Sequence, residues 1–114
     1  VRKAILNSAE RVVYIASGDL SHRLTTDAPA GYNPYGKVYD TALVEKIRKG
    51  DVEGILSIRE SQMEEAGECG TRSIVMMLGV LDGCTLKPAI YSYEGRFGVG
   101  YLAAGIGTSI CVDD

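Results

Sequence analysis

The sequence predicts an α/β fold in which a mixed sheet is flanked by helices, and three observations support this fold class. Residues 11–17 (RVVYIAS) form a continuous, β-branched apolar run, which is typical of a strand buried on both faces. Residues 37–50 and 71–83 carry apolar side chains at helical spacing. The tail from residue 89 onward alternates apolar and polar residues around a glycine-containing turn, which indicates a hairpin.

Length and charge narrow the function classes. The 114 residues suffice for one domain, and their net charge of −3 gives no general attraction to nucleic acid or to an anionic membrane. No apolar run approaches the roughly 20 residues of a membrane span. The three cysteines, Cys69, Cys84 and Cys111, show neither a disulfide framework nor zinc-site spacing. We therefore expect reduced thiols and a cytoplasmic location.

Two features favour a piece of a larger domain. The chain starts at Val1, inside a pattern that is already helical, and it places 14 glycines on a thin set of core elements. We expect residues 1–114 to be the C-terminal part of a single domain.

The first half of the chain predicts a helix, a strand and a long loop. A helix over residues 1–10 would carry one apolar face, made of Val1, Ala4, Ile5 and Ala9. The strand at 11–17 follows, and residues 17–36 then contain several turn signals and no periodic pattern. Long loops inside compact domains are usually functional.

The middle of the chain predicts three helices. The helix over 37–50 ends at Gly50, and its expected inward residues are Val38, Tyr39, Ala42, Leu43 and Ile47. Asp51 can cap a short helix, and Ser61 with Glu64 has capping-box spacing.

After an interruption at 66–70 (AGECG), the sequence predicts an apolar helix and then a hairpin. The helix over 71–83 is expected to be buried, with an interior of Ile74, Val75, Met77, Leu78 and Leu81. The two strands that follow are expected to be joined by a three-residue turn.

The stretch SGDLSH at 17–22 is the first candidate site. It follows the predicted strand and contains His22, the single histidine of the chain. Ligands of open α/β sheets bind beyond the carboxyl ends of strands, and a histidine there can move protons near neutral pH. The alternative is a capping or surface histidine without chemical function.

The stretch EEAGECGTRS at 64–73 is the second candidate. Glycines flank Glu68 and Cys69 just before the apolar helix, so both side chains could reach a cleft at its N-terminus. Cys69 could then act as a nucleophile or a soft metal ligand. The alternative is a packing turn with a surface glutamate and an inert thiol.

The glycines at 95, 98 and 100 do not form a phosphate loop, because no GK[ST] follows and no strand-to-helix context surrounds them. Alternating glycines in a strand more often mark the close approach of another backbone.

Four blocks occur together in the chain: SGDLSH, APAGYNPYGKVYD, EAGECGTRS and YEGRFGVGYLAAG. In order and spacing they resemble the C-terminal half of the LigB-like class III extradiol dioxygenase superfamily. The similarity is greatest to the branch related to Memo proteins, which is often fused to, or encoded beside, an AMMECR-type domain. The resemblance implies a three-layer α/β domain whose N-terminal half lies outside these residues.

The resemblance also implies a site. Gly18, Leu20, Ser21 and His22 match the segment whose histidine is the catalytic acid/base beside a non-haem Fe(II). In the superfamily two histidines from the N-terminal half and one carboxylate hold the iron. Aligning the glycines around AGECG puts Cys69 at the carboxylate's position, as in Memo-type proteins, whereas a one-residue shift restores Glu68.

Cys69 and Glu68 are therefore both candidate ligands, for Fe(II) or for another divalent metal or copper. Further residues are candidates for binding substrate or shaping the site: Asp19, Ser21, Tyr32 and Glu94.

The implied function is ring cleavage of a catechol-type aromatic diol with O₂, completed by the N-terminal half and its two histidines. The alternative is a Memo-like, non-enzymatic protein whose vestigial site binds a peptide, a small molecule or a metal. A hydrolase-like pair of Cys69 and His22 is a third option. An AMMECR-type domain and a second copy of the chain are further candidate partners.

Overall fold

The structure, a computed structural model, describes residues 1–112. Within them the helices are α1 (Arg2–Leu6), α2 (Tyr35–Lys49), α3 (Val52–Leu56), α4 (Glu60–Ala66) and α5 (Thr71–Val80). The strands β1 (Cys84–Glu94) and β2 (Tyr101–Cys111) form a two-stranded antiparallel sheet. Helices combined with this sheet make a mixed α/β fold, which confirms the predicted class.

Helix α2 is the centre of the core and packs against α3, α4 and β1. It ends where Gly50 adopts the left-handed conformation with φ 66°, as its sequence predicts. The expected inward positions Val38 and Ala42 are wrong, because both side chains are exposed. The helix buries a stripe at three- and four-residue intervals instead, made of Gly36, Tyr39, Asp40, Leu43, Val44 and Ile47.

Of the caps predicted for the next two helices, the one for α3 is confirmed and the one for α4 is wrong. Asp51 caps α3 as predicted, since its Oδ1 accepts the Gly54 N–H at 2.9 Å. The capping box at Ser61 and Glu64 is wrong, because α4 already begins at Glu60. Gln62 supplies the reciprocal bond instead, with its Oε1 accepting the Arg59 N–H at 2.9 Å.

Helix α5 is less buried than its apolar sequence predicts. Among its residues only Thr71 and Leu78 are buried, and Met76 is 63% exposed. The remaining expected interior residues are partly buried: Ile74, Val75, Met77 and Leu81. The described part of the chain supplies packing partners for one side of this helix only, so its other side faces solvent.

The predicted strand at 11–17 is wrong for the described residues, which contain no strand there. Its run is exposed, with Val13 at 84% and Ile15 at 80%. A strand needs a neighbour for its backbone N–H and C=O groups, and β1 and β2 pair with each other. Helix α1 is also shorter than the predicted 1–10 and buries no residue.

The hairpin is confirmed, with a longer connection than the three residues predicted. Glu94 pairs with Tyr101, and residues 95–100 join the strands. At the other end of the hairpin Cys84 faces Cys111, and the two form a disulfide. The expectation of reduced thiols is therefore wrong for this pair, because the strand register brings the two sulfur atoms together.

The core gathers side chains of α2, α3, α4, α5 and the loop that precedes α2, with Leu20, Leu43 and Ile55 almost fully buried. The loop predicted over 17–36 is confirmed from Ser17 to Pro34, whereas its last two residues, Tyr35 and Gly36, already belong to α2. Across the described residues, no helix is both long and apolar enough to cross a membrane.

Candidate metal centre

The loop that contains His22 is held by backbone hydrogen bonds from two directions. On one side, Leu20 N–H donates to Gly100 O at 2.8 Å and Gly100 N–H donates to Ser21 O at 2.8 Å. On the other side, His22 N–H donates to Gly67 O at 2.9 Å. The hairpin connection and the α4–α5 turn therefore clamp this loop between them.

Two glycines let the His22 loop and the α4–α5 turn come into backbone contact. A Cβ atom added at Gly18 would lie 2.6 Å from the Cα of Gly70. One added at Gly70 would lie 2.8 Å from the backbone oxygen of Asp19. Because neither backbone can move away cheaply, the site requires glycine at both positions.

This contact brings Asp19, His22 and Cys69 together. One ligand atom from each residue lies within 4.8 Å of the others. Cys69 Sγ lies 3.5 Å from His22 Nε2 and accepts the Asp19 N–H at 3.3 Å. Asp19 and His22 are half-buried, whereas Cys69 is exposed. The cluster is thus fixed by the backbone and open to solvent on its sulfur side.

Glu68 points away from this cluster. Its Oε2 accepts the Thr71 N–H, the first of α5, at 2.7 Å. Its Oε1 is buried and has no hydrogen-bond partner among the described residues. Of the two candidate ligands in the turn, only Cys69 lies with Asp19 and His22.

The buried carboxyl group of Asp40 accepts a hydrogen bond from the His22 loop. Asp40 of α2 is fully buried, and its Oδ1 accepts the Ser21 N–H at 2.9 Å. Its Oδ2 accepts the Tyr93 hydroxyl. Burial raises the pKa of Asp40, while the hydrogen bonds from Tyr93 and Ser21 partly oppose that rise. Burial of the Tyr93 side chain and its hydrogen bond to Asp40 raise the pKa of Tyr93.

The neighbouring residue on α2 supports the other half of the site. The hydroxyl of Tyr39 is hydrogen-bonded to Thr71 Oγ1. Burial raises the pKa of Tyr39 to about 12, so the phenol is neutral at physiological pH. Thr71 begins α5 directly after the turn that carries Cys69.

The other predicted site residues lie around the cluster rather than in it. Ser21 is buried, and its hydroxyl donates to Ala66 O at 2.6 Å, so it shapes the loop. Tyr32 is 54% exposed in the loop before α2. Glu94 ends β1 and pairs with Arg96 at 3.6 Å. Among the described residues neither Tyr32 nor Glu94 is hydrogen-bonded to the cluster.

The donor set of the cluster fits a transition-metal ion in part. A carboxylate, an imidazole and a thiolate within 4.8 Å of one another can share one ion. With one histidine in the sequence, the chain does not provide two histidines and a carboxylate by itself. The thiolate is also a softer donor than the carboxylate it would replace.

An apolar cleft of about 560 Å³ lies behind the site. Gly18, Leu20 and Gly70, which flank the cluster, line one end of the cleft. Its walls come from residues 12–16, from α5 and from both strands.

Reasoning from sequence missed Asp40, although a signal was present. Position 40 follows Gly36 by four residues and precedes Leu43 by three, so it falls on the buried stripe of α2. A charged residue on an inward face needs a polar partner. Tyr93 and Thr71 gave no comparable signal, because their role depends on contacts across 53 and 32 residues.

Comparison with known families decides the relationship. The family model for the catalytic LigB subunit of aromatic ring-opening dioxygenase matches residues 1–104. This chain belongs to the LigB family. The match confirms the resemblance of the four sequence blocks at the level of the LigB superfamily.

A curated relative extends the comparison. Protein CA_C1420 of Clostridium acetobutylicum is 52% identical to this LigB-family chain over 101 residues, which is 89% of the chain. The chain spans only 22% of that relative's length.

Proposed function

We propose that this chain supplies His22 and Cys69 to the active site of an Fe(II)-dependent dioxygenase that opens the ring of a catechol-type diol. The observation that carries the proposal is the convergence of Asp19, His22 and Cys69 on a backbone clamp in a LigB-family chain. The activity belongs to the full-length protein, of which these residues are one part.

His22 acts as the acid/base of the site. Its backbone N–H is fixed by Gly67 O, and its Nε2 faces the cluster. An imidazole in this position can take a proton from a diol hydroxyl and return it to the product. Asp19, which is also half-buried, can orient the substrate beside His22.

Cys69 is the ligand that this chain provides to the metal. Fe(II), when bound, offers open positions for the diol and for O₂. Two histidines from the N-terminal half of the domain complete its ligand set. We expect residues 1–114 alone to bind Fe(II) weakly and to show no turnover, and tight stoichiometric binding would contradict this assignment.

The N-terminal half docks on the exposed run at 11–17. This run is apolar and leads directly into Asp19, and the described residues provide it with no strand partner. Val13 is 84% exposed here, and the relative is several times longer than the chain. A strand from the remainder of the protein would pair with the run and bring further ligands to the site.

Substitution of Val13 in the full-length protein tests this docking. Val13→Lys should lower the free energy of unfolding by about 2 kcal/mol, because it removes a buried valine and adds a charge. Thr41→Lys, at an exposed position on α2, should change it by less than about 0.5 kcal/mol. An equally small effect of Val13→Lys would mean that the run stays exposed in the full-length protein.

Oxygen uptake tests the proposed activity. The full-length protein is loaded with Fe(II) under anaerobic conditions and then mixed with a panel of catechols and a measured amount of O₂. We expect uptake with at least one catechol, together with formation of a ring-opened product. Bound metal without uptake on any catechol would refute the ring-cleaving function.

A second function is favoured by the sulfur atom itself. In the alignment of the flanking glycines Cys69 would replace the carboxylate of the superfamily, and a thiolate selects softer metals such as copper. A Memo-like protein that binds a metal, a peptide or a small molecule without turnover would have the same cluster. Tight Cu(I) binding together with no oxygen uptake would support this alternative.

A further inference from the structure

Glu68 and Cys69 are neighbours in the chain, but their side chains serve different parts of the structure. Cys69 Sγ faces His22 Nε2 at 3.5 Å. Glu68 turns toward α5 and accepts the Thr71 N–H at 2.7 Å. The two side chains of this short turn therefore point to different parts of the structure.

The Thr71 end of this turn is anchored in the core. Thr71 is fully buried, and its side chain is hydrogen-bonded to Tyr39 of α2. Asp40, the next residue of α2, holds the Ser21 N–H in the loop that carries His22. Adjacent residues of α2, Tyr39 and Asp40, thus bind the two segments that form the cluster. The Glu68 side chain adds a hydrogen bond between the α4–α5 turn and the Thr71 N–H.

The Glu68 carboxylate is not simply a solvent-exposed group that caps α5. Its Oε1 is buried without a hydrogen-bond partner among the described residues, and burial of such an oxygen is unfavourable. Its charge also contributes to raising the pKa of Tyr39 and of Asp40. A capping serine or aspartate with an exposed side chain would avoid these costs.

We propose that Glu68 is a positioning residue: by holding the first N–H of α5 it sets the α4–α5 turn so that Cys69 Sγ faces His22. The proposal builds on the proposed function in treating the Cys69–His22 pair as a site. It assigns Glu68 no contact with metal or substrate.

A spectroscopic measurement of the Cys69–His22 contact tests the proposal without metal. The full-length protein is labelled with ¹⁵N in its histidine rings and kept in chelator, and the His22 signal is assigned by its loss in His22→Gln. The readout is the shift of that signal on Cys69→Ser. This shift is measured in four backgrounds: wild type, Glu68→Ala, Glu68→Gln and Asp51→Ala.

The chain offers a matched control. Like Glu68, Asp51 accepts a backbone N–H from the first turn of a helix, with its Oδ1 on the Gly54 N–H at 2.9 Å, but it lies outside the cluster. Each alanine variant should lower the stability of the protein, because a helix loses a hydrogen bond to its first turn. Only a positioning residue should also change the His22 signal.

We expect the His22 response to Cys69→Ser to be lost in Glu68→Ala and kept in Asp51→Ala. Glu68→Gln should keep the response, because its amide oxygen can still accept the Thr71 N–H. A full response in Glu68→Ala, or an equal loss in Asp51→Ala, would overturn the proposal. Because no metal is present, failure of metal binding or of oxygen uptake leaves this result unaffected.

Discussion

Cys69 Sγ lies 3.5 Å from His22 Nε2, although 47 positions separate the two residues in the chain. The contact depends on Gly18 and Gly70, whose backbones meet where no Cβ would fit. Asp40 and Glu68 accept backbone hydrogen bonds from Ser21 and Thr71, which lie next to the two segments. The cluster is therefore a product of the fold and not of local sequence.

His22→Ala in the full-length protein should separate proton transfer from metal binding. Loss of an acid/base group costs about 10²–10⁴-fold in turnover. Metal affinity should stay close to that of the wild type, because Cys69 and the two proposed histidine ligands from the N-terminal half remain. Turnover is measured as oxygen uptake and affinity by anaerobic titration. Release of the metal by His22→Ala would make His22 a ligand instead.

Asp40 should make the stability of the protein depend on pH. Burial raises the pKa of Asp40 above its ordinary value of 3.8, so the folded state binds the proton more tightly than the unfolded state. Its contribution to stability is then fully present below the unfolded pKa and is lost as pH rises through the folded pKa. Denaturant unfolding of wild type and Asp40→Asn between about pH 4 and pH 7 measures this.

The advantage of wild type over Asp40→Asn should shrink as pH rises across that range. Asp27 provides a control of opposite sign, because the Thr25 hydroxyl lowers its pKa. Stability contributed by Asp27 is lost as pH falls. The stability of Asp27→Asn should therefore decrease less than that of wild type as pH falls. A pH-independent difference between wild type and Asp40→Asn would show that the Asp40 carboxyl does not titrate differently on folding.

The disulfide between Cys84 and Cys111 should survive purification without reductant. Peptide mapping under non-reducing conditions should find the two residues linked and Cys69 free to be alkylated. Reduction should lower the free energy of unfolding by about 2–4 kcal/mol, because it releases a constraint on the unfolded chain. The Cys84→Ser variant should be insensitive to reductant. Alkylation of both cysteines without reductant would contradict the linkage.

Much of the fold follows from local signals. The helix α2, its stop at Gly50 and the cap at Asp51 are set by contacts within a few residues, and these predictions hold, although the expected inward positions Val38 and Ala42 are exposed. The hairpin is also predicted by local signals, namely the alternation of apolar and polar residues and the glycines in the turn. The run at 11–17 reads as a central strand, but its pairing depends on backbone that the described residues do not provide.

The candidate site was less accessible to prediction. Flanking glycines allow either Glu68 or Cys69 to face the cleft, because a one-residue shift preserves the pattern. Only the three-dimensional contact of Glu68 with Thr71 distinguishes the two side chains. Asp40 could have been found from its place on the buried stripe of α2, whereas its partner Tyr93 lies 53 residues away.

Cobalt binding tests the central assignment of Cys69 most directly. Full-length wild type, Cys69→Ser and Glu68→Gln are titrated with Co(II) without oxygen, and the thiolate-to-cobalt absorption band is recorded. We predict the band in wild type and in Glu68→Gln, and its loss together with weaker metal binding in Cys69→Ser. Unchanged binding in Cys69→Ser together with release of the metal by Glu68→Gln would contradict the account and make Glu68 the ligand.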